Sequence, residues 1–283
     1  MSESQCKVCN NADVRFLFTE ASFGKAHGCY YCATCDLYQT LGDVAPVSPD
    51  YVGLEEKDLV EEHVYLQRAH KRPAFDQWLK TIQRLTLPFE PGFRSVLDIG
   101  CGVGGFLEFV AGKGLRTYGF DASAAQARVA REKFPNVRNS IGIDDYVAQL
   151  DHVPAFDYVT MWDVFEHIRD PQSLLKSIWP YMAPTGLLFV SVPSGAPMRF
   201  KLIVAKMAQR TPGLIPWEHV FYYTKRSLRK MFESNGFDVL SVDGVVPYVR
   251  SLSMHEVARR ATHRLLAATP WAFQISAIAR PRM

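Results

Sequence analysis

The stretch "SVLDIGCGVGGFLEF", residues 95–109, decides the fold of this chain. A short apolar run ends at Asp98, and Gly100, Gly102 and Gly105 follow at the G-x-G-x-x-G spacing. Glycines at a strand-to-helix turn let the backbone approach a ligand closely, and the first N–H groups of the helix point toward it. The stretch therefore predicts a nucleotide-type binding loop at the carboxyl end of a buried strand.

Strand-like apolar runs alternate with helical periodicity around and after this loop. Strands are predicted at residues 94–100, 116–123, 136–143, 156–163 and 186–193. Helices are predicted between them, at residues 104–114, 124–134 and 170–182. This βαβ alternation predicts an α/β fold with a doubly wound parallel sheet, which binds its ligand at the carboxyl ends of the strands.

The charge beside the glycine loop distinguishes between two classes of cofactor. A dinucleotide would place its pyrophosphate over this turn, where Asp98 would repel it. S-adenosylmethionine (SAM) carries an ammonium and a sulfonium group instead, and a carboxylate attracts both. Asp121 follows Gly100 by 21 residues, where an acidic side chain binds ribose hydroxyls in either class. The sequence therefore favours SAM.

Several motifs occur in the same order as in a known family. "VLDIGCGVGGF", "YGFDAS", "FDYVTMWDVFEHIRDP", "GLLFVSVP" and "HVFYYTKRSLRKMFESNGF", within residues 94–245, resemble class I SAM-dependent methyltransferases. The likeness is strongest to the ubiquinone-biosynthesis O-methyltransferase-like branch. It implies a Rossmann-like seven-stranded sheet with helices on both faces and an antiparallel last strand. Strands six and seven are then expected at residues 237–244 and 271–280.

The resemblance also implies cofactor-binding positions along the chain. The loop at the methionine end matches Asp98, Gly100, Cys101 and Gly102, whereas Asp121 matches the ribose acid. The remaining matches are Ala122 beside the adenine, Asp144 or its neighbour Asp145 as acceptor for the adenine amino group, and Trp162 and Asp163 beside the methionine moiety.

Candidate catalytic residues follow the fourth predicted strand, in "DVFEHIRDP". His167 could act as general base, because an imidazole titrates near neutral pH, and Glu166 stands beside it. His219 in "PWEHVFYYT" is the second candidate, expected at the mouth of the substrate site. Quinone-pathway relatives bind a divalent metal through Glu-x-x-Glu-His, so Asp163, Glu166 and His167 could instead hold a metal. Packing of the loop around the cofactor is a further alternative.

Two C-x-x-C pairs near the amino end predict a metal site. With 22 residues between the pairs, this is zinc-ribbon spacing. Four thiolates leave no open coordination position, so the expected role is structural. Cys29 is a rival ligand, but we prefer the set Cys6, Cys9, Cys32 and Cys35.

The chain is expected to divide into a zinc-ribbon module (1–42), a linker with N-terminal helices (43–93) and a methyltransferase domain (94–283). Two insertions, at 195–216 and 246–269, mix apolar and basic residues and could form a lid over the substrate. From Gly195 onward the chain has 14 Lys and Arg against 5 Asp and Glu. An anionic or hydrophobic acceptor would suit such a lid, and its helices could also touch a membrane surface.

The leading functional hypothesis is a biosynthetic methyltransferase with a small-molecule acceptor, O-methylation being favoured on a natural-product, sugar or isoprenoid-type compound. An RNA methyltransferase with a zinc-ribbon RNA-binding module is the alternative. It is disfavoured, because the sequence lacks the Lys/Arg-aromatic pattern of an RNA platform. A non-enzymatic SAM-binding scaffold is the third class. We expect a cytoplasmic protein, because "MSESQCKVCNN" is unlike a secretory signal and no apolar run reaches the ~18 residues of a membrane span.

Overall fold

The structure is a computed structural model. It describes residues 5–22, 25–41, 71–85, 94–209, 219–245, 265–267, 269 and 272–282. Of the predicted linker and N-terminal helices at 43–93, residues 43–70 and 86–93 lie outside the described residues, as does most of the second predicted insertion.

The described residues form eleven strands and seven α-helices. The strands are β1 (Arg15–Ser22), β2 (Lys25–Cys32), β3 (Leu37–Leu41), β4 (Ser95–Ile99), β5 (Arg116–Asp121), β6 (Val137–Asn139), β7 (Phe156–Trp162), β8 (Met182–Pro193), β9 (Phe221–Tyr222), β10 (Phe237–Gly244) and β11 (Gln274–Pro281). The helices are α1 (Arg72–Leu85), α2 (Gly105–Ala111), α3 (Ala124–Arg131), α4 (Ile143–Ala148), α5 (Pro171–Ile178), α6 (Met198–Met207) and α7 (Lys225–Ser234).

Seven strands form the larger sheet, in the order β10-β11-β8-β7-β4-β5-β6. Strand β11 runs antiparallel to both its neighbours, whereas the pairs from β8 to β6 are parallel. The expected seven-stranded sheet with its antiparallel last strand is thus confirmed. All five residues of β4 are buried, and the sheet reverses its strand order around this strand. Its carboxyl end is therefore the topological switch point at which such sheets bind ligands.

The third predicted strand is wrong beyond Asn139, because the chain turns there into α4. The hydroxyl of Ser140 accepts from the Gly142 N–H at 3.2 Å and donates to Asp145 at 2.6 Å. These bonds connect the segment before α4 to the first turn of the helix, whose N-cap residue is Gly142. The apolar Ile143 is buried as the first residue of α4 and not as the end of a strand.

Other predicted boundaries shift where a proline or a longer strand intervenes. The helix predicted at 170–182 ends at Ile178, and a 3₁₀ turn containing Pro180 follows. Strand β8 then begins at Met182, four residues before the prediction. A proline ring cannot continue an α-helix without a clash, which accounts for the early end.

The smaller sheet has the order β1-β2-β3-β9 and joins the amino-terminal segment to the rest of the chain. Strand β9 pairs antiparallel with β3, with Tyr38 opposite Tyr222 and Gln39 opposite Phe221. One hydrophobic cluster contains Leu37 together with Phe221 and Phe165, so the core is continuous between the two sheets. The boundary expected at residue 42 stays a prediction, but the small sheet draws its fourth strand from beyond that boundary.

Helix α1 packs an aromatic face onto the larger sheet. Phe75 and Trp78 lie one turn apart on the buried side of the helix, and both contact Phe106 of α2 edge to face. Phe75 also contacts Trp162 at the end of β7, with ring centroids 4.9 Å apart. Each such buried aromatic ring contributes roughly 1.5–3 kcal/mol. This packing fixes the start of α1, and with it Lys71, at the carboxyl edge of the sheet.

Candidate cofactor and acceptor site

The glycine turn between β4 and α2 requires a backbone that glycine adopts readily. The φ angles are +68° at Gly100, +55° at Gly102 and +83° at Gly104, all in the left-handed region. A Cβ atom at Gly100 would lie 2.4 Å from a methyl group of Val164. The turn thus packs directly against the segment after β7, and the predicted cofactor loop adjoins the predicted catalytic segment.

Asp98 lies at the penultimate position of β4 and is 2% exposed. One of its carboxylate oxygens accepts a 2.6 Å hydrogen bond from the Thr160 hydroxyl of β7. Burial raises the pKa of Asp98 to about 7, against the opposing effects of Thr160 and the Lys71 ammonium. The carboxyl group predicted to attract the cofactor is therefore buried and titrates near neutral pH, so a cation that arrives nearby would favour its ionised form.

Asp121 ends β5 and holds the glycine turn in place. Its two oxygens accept from the N–H groups of Gly102 and Ser123, each at 2.8 Å. An ionised carboxylate has about four lone-pair sites and is of the kind that accepts from ribose hydroxyls. Cys101 lies inside the turn, and its thiol is buried among the residues of α2 and α3. The backbone of Cys101 is part of the glycine turn, whereas its side chain packs in the hydrophobic core.

The two acids predicted to accept from the adenine amino group both have hydrogen-bond partners within the protein. Asp144 accepts from the Tyr181 hydroxyl at 3.0 Å, and Asp145 accepts from the Ser140 hydroxyl at 2.6 Å. Ala122 is exposed after β5, where Asn139 donates to its carbonyl. Ile141, which the sequence did not single out, follows β6 and is 90% exposed.

The region expected to bind the methionine moiety contains a carboxylate, an ammonium and an amide group. Asp163 has φ +58° and accepts from the Lys71 ammonium at 2.9 Å and from the Gln274 amide at 2.5 Å. Its neighbour Trp162 is 5% exposed and packs against Phe189, with ring centroids 4.5 Å apart. Lys71 and Gln274 lie far from Asp163 in the chain and carry no motif, so sequence reasoning did not find them.

Glu166, His167 and His219 come together after β7. Their ligand atoms all lie within 4.8 Å of one another, and the two imidazole rings have centroids 4.9 Å apart. Glu166 is 1% exposed, and its Oε1 lies 3.8 Å from Nε2 of His167. Burial, together with a smaller effect of the neighbouring His167, lowers the pKa of His219 to about 4, so His219 is neutral at pH 7. A neutral imidazole beside a buried acid is equipped to accept a proton.

The metal set expected from the family pattern is not the set that the structure brings together. Asp163 faces Lys71 and Gln274, and His219 takes its place beside Glu166 and His167. Asp163 has a left-handed backbone conformation, and its side chain points toward α1 and β11. It therefore lies apart from Glu166 and His167.

The four cysteines converge as the spacing predicts. The Sγ atoms of Cys6, Cys9, Cys32 and Cys35 all lie within 4.8 Å of one another, and Cys29 is outside this group. The Cys9 and Cys32 sulfurs are 3.7 Å apart. A tetrahedral zinc with Zn–S bonds of about 2.3 Å has sulfur–sulfur edges of about 3.8 Å, so the geometry fits a Cys₄ site. Burial raises the pKa of the Cys6 thiol, and a bound cation would supply the charge that stabilises its thiolate.

Both cysteine pairs turn in the same way. Asn10 and Asp36 directly follow the second cysteine of each pair and have φ angles of +55° and +58°. Asn and Asp tolerate the left-handed conformation better than other non-glycine residues, so the sequence suits the tight knuckle that brings each pair of sulfurs together.

The chain matches the methyltransferase-domain family over residues 68–242, more than half of its length. It is 31% identical over 118 residues to a ubiquinone biosynthesis O-methyltransferase of Glaesserella parasuis, in an alignment that covers 39% of this chain and 50% of that protein. The chain spans about half the length of the curated relatives it matches.

Solved structures of methyltransferases share the fold. A phosphoethanolamine N-methyltransferase of Haemonchus contortus, bound to phosphomonomethylethanolamine and S-adenosylhomocysteine, has a TM-score of 0.55 at 17% identity, covering 94% of this chain and 72% of that chain. The plantazolicin methyltransferase BpumL in complex with S-adenosylhomocysteine has a TM-score of 0.52 at 14% identity, covering 80% and 89%. Among the described residues, no helix has the length and apolar character needed to cross a bilayer.

Proposed function

Because this chain belongs to the class I SAM-dependent methyltransferases, we propose that it transfers the methyl group of SAM to a hydroxyl oxygen of a small-molecule acceptor. One observation carries the proposal. The glycine turn contacts Val164, and Val164 opens the segment that bears Glu166 and His167. A cofactor on the turn would therefore present its reactive end to a cluster that contains a neutral base.

The residues around the turn match the three chemical parts of SAM. Asp121 would accept hydrogen bonds from the ribose hydroxyls, and Ile141 with Ala122 would offer apolar contact to the adenine. Lys71 would bind the carboxylate of the methionine moiety, and the ionised Asp98 would favour its positive charges. SAM itself supplies an electrophilic methyl group on sulfonium sulfur.

Methyl transfer then requires alignment and one proton acceptor. The acceptor oxygen attacks the methyl carbon, the carbon–sulfur bond breaks, and S-adenosylhomocysteine leaves with the electron pair of that bond. The acceptor proton passes to the imidazole of His219, which burial keeps neutral. Glu166 lies within 4.8 Å of this imidazole and would stabilise the imidazolium that forms. Such general base catalysis contributes typically about 10²–10⁴-fold.

A hydroxyl acceptor is supported by the relatives named O-methyltransferases of ubiquinone biosynthesis, although the match covers part of each protein. Helix α6 adds a surface suited to an apolar or anionic compound. It exposes Phe200 and Ile203 beside the basic side chains of Arg199 and Lys201. We propose a hydroxylated natural-product or isoprenoid-type acceptor on these grounds.

We also propose that Cys6, Cys9, Cys32 and Cys35 hold one structural zinc ion. The convergence of the four sulfurs within 4.8 Å of one another supports this, and a closed Cys₄ site supplies stability to the fold and no Lewis-acid chemistry to the substrate. Elemental analysis of the purified protein should give one zinc per chain. A metal-free protein with unchanged thermal stability would contradict the proposal.

The test of methyl transfer begins with the cofactor. Calorimetry should give one SAM site per chain, and labelled SAM should transfer its methyl group to members of a panel of phenolic and polyprenyl hydroxyl compounds. His219→Gln should keep the affinity for SAM and slow the transfer by roughly 10²–10⁴-fold. Protein that binds neither SAM nor S-adenosylhomocysteine would refute the proposal.

The same labelled cofactor distinguishes the other hypotheses. Transfer to RNA and retention of RNA at about 50 mM salt would favour the RNA methyltransferase. Tight SAM binding without any transfer, together with a protein partner that is lost on Cys6→Ser, would favour the scaffold.

A further inference from the structure

The cysteine module, which comprises the four clustered cysteines and strands β1–β3, is hydrogen-bonded to the backbone next to the proposed base His219. On β3, the N–H of Thr40 donates to the Val220 carbonyl at 2.9 Å, and the Thr40 hydroxyl donates to the same oxygen at 3.2 Å. The Val220 N–H in turn donates to the carbonyl of Glu166 at 3.0 Å. Val220 directly follows His219, so this relay connects β3 to two members of the catalytic cluster.

The knuckle of the second cysteine pair contacts the same region. The carbonyl of Asp36, next to Cys35, accepts from the Thr224 hydroxyl at 2.8 Å. The Asp36 carboxylate accepts from the Arg199 guanidinium at 3.0 Å. Because Arg199 lies in the first turn of α6, the knuckle is tied both to the segment after β9 and to the helix of the predicted substrate lid.

A buried side chain fills the space between the cysteines and the acid of the cluster. Tyr223 is fully buried, stacks on Phe165 with ring centroids 5.4 Å apart, and lies near both Glu166 and Cys6. Its hydroxyl group has no hydrogen-bond partner among the residues that the structure describes. The cysteine cluster and Glu166 therefore share one tightly packed region, in which a displacement on one side is transmitted to the other.

We propose that the cysteine module is a positioning element for the acceptor side of the site, and that Thr40 is the residue through which it holds His219 in place. This inference rests on the proposed methyltransferase function and goes beyond a purely structural role for the metal. The cofactor side has other supports, because Asp98 accepts from Thr160 of β7 and Asp121 accepts from the N–H groups of Gly102 and Ser123. Loss of the module's geometry should therefore affect the acceptor side and spare SAM binding.

The experiment compares zinc-loaded wild type with Thr40→Val, Thr40→Ser and Cys9→Ser. Cys29→Ser is the matched control, because this cysteine is buried in the same sheet but lies outside the sulfur cluster. Three quantities are measured: the affinity for S-adenosylhomocysteine, the exchange rate of the Val220 amide, and the pH titration of the His219 ring by NMR. The ring resonance is assigned with His219→Gln.

We expect all variants to bind S-adenosylhomocysteine within about threefold of wild type. In Thr40→Val and Cys9→Ser, the Val220 amide should exchange at least roughly tenfold faster, and the pKa of His219 should rise toward the ordinary value of about 6.5. Thr40→Ser restores the hydroxyl and should restore both wild-type values. Cys29→Ser should match wild type in all three quantities.

The outcomes separate the two proposals. If Thr40→Val keeps the wild-type exchange rate and the wild-type titration of His219 with its zinc in place, the positioning role is wrong. If S-adenosylhomocysteine affinity falls in parallel with the loss of zinc, the module supports the whole fold and the inference is likewise overturned. If wild type itself does not bind the cofactor product, the methyltransferase proposal fails instead.

Discussion

The Nζ atom of Lys71 lies 2.9 Å from Oδ2 of Asp163. The two side chains come from the start of α1 and the end of β7, and they are 17% and 24% exposed, so solvent screens the pair only in part. The Lys71 charge also acts on the buried Asp98, where it opposes the rise in pKa. One lysine thus balances two acids at the edge of the sheet where the methionine end of SAM is expected.

Replacement of Lys71 should weaken cofactor binding. In Lys71→Met, the affinity for SAM should fall roughly 10–100-fold, because a charge-assisted hydrogen bond contributes about 1.5–3 kcal/mol. Calorimetry measures the change. Lys80→Met is the control, since Lys80 is exposed on the same helix and should bind SAM as wild type does. Equal affinities for the two variants would exclude Lys71 from the cofactor site.

Asp98 should make the stability of the ligand-free protein depend on pH. Its pKa is about 7 in the folded state against an ordinary value of 3.8, so between these values the folded protein keeps a proton that the unfolded chain releases. The free energy of unfolding should therefore fall as the pH rises from about 4 to about 7, by on the order of 4 kcal/mol. Thermal unfolding of Asp98→Asn and wild type should coincide near pH 4, with Asp98→Asn the more stable at pH 8.

Ionisation of Asp98 should also make the affinity for SAM depend on pH. The affinity should rise with pH, whereas the stability of the ligand-free protein falls. The ionised Asp98 attracts the cationic cofactor, so binding of SAM should strengthen as the pH rises through about 7. Asp98→Asn should bind more weakly and lose this dependence. A wild-type affinity that is flat across pH 6–8 would show that the carboxyl group does not act on the bound cofactor.

Substitution of Gly100 tests directly whether SAM binding requires the left-handed glycine turn. Gly100→Ala places a Cβ atom 2.4 Å from Val164 at a φ of +68°, so it should abolish SAM binding and cost about 1–3 kcal/mol in stability. Gly142→Ala is the matched control, because φ is −156° there and no atom lies within 4 Å of the added carbon. Calorimetry and thermal unfolding should distinguish the two alanine variants, and similar behaviour would contradict the steric account.

The half-buried imidazole of His219 should lower stability in acid. Its pKa is about 4 when folded and 6.5 ordinarily, so the unfolded chain binds a proton between these values that the folded protein does not. The free energy of unfolding should fall as the pH falls from about 6.5 to about 4, and His219→Gln should remove this contribution. His152→Gln, at an exposed site, should leave the pH dependence of wild type unchanged.

Features that depend only on neighbouring residues in the chain could be predicted from the sequence. The glycine turn, the acid at the end of β5 and the strand Phe237–Gly244 follow from local residue order, and all three occur where the sequence places them. The convergence of the cysteines was also predictable, because C-x-x-C spacing already constrains each pair.

Features that depend on long-range contacts were not predictable from local patterns. Strand β9 has two residues and therefore no periodicity, and it exists because β3 offers an edge. The Lys71–Asp163 pair joins residues 92 positions apart, and only the packing of α1 brings them together. The third predicted strand was wrong beyond Asn139, where the Ser140 hydroxyl bonds to Gly142 and Asp145 and the chain turns into α4.

The pairing of β3 with β9 also bears on how the chain folds during synthesis. The bond from Thr40 to Val220 closes a loop of 180 residues, so β3 leaves the ribosome long before its partner strand exists. Until then its outer edge presents unpaired N–H and C=O groups, which promote self-association of nascent chains. A chain that stops before residue 219 would keep that edge open permanently.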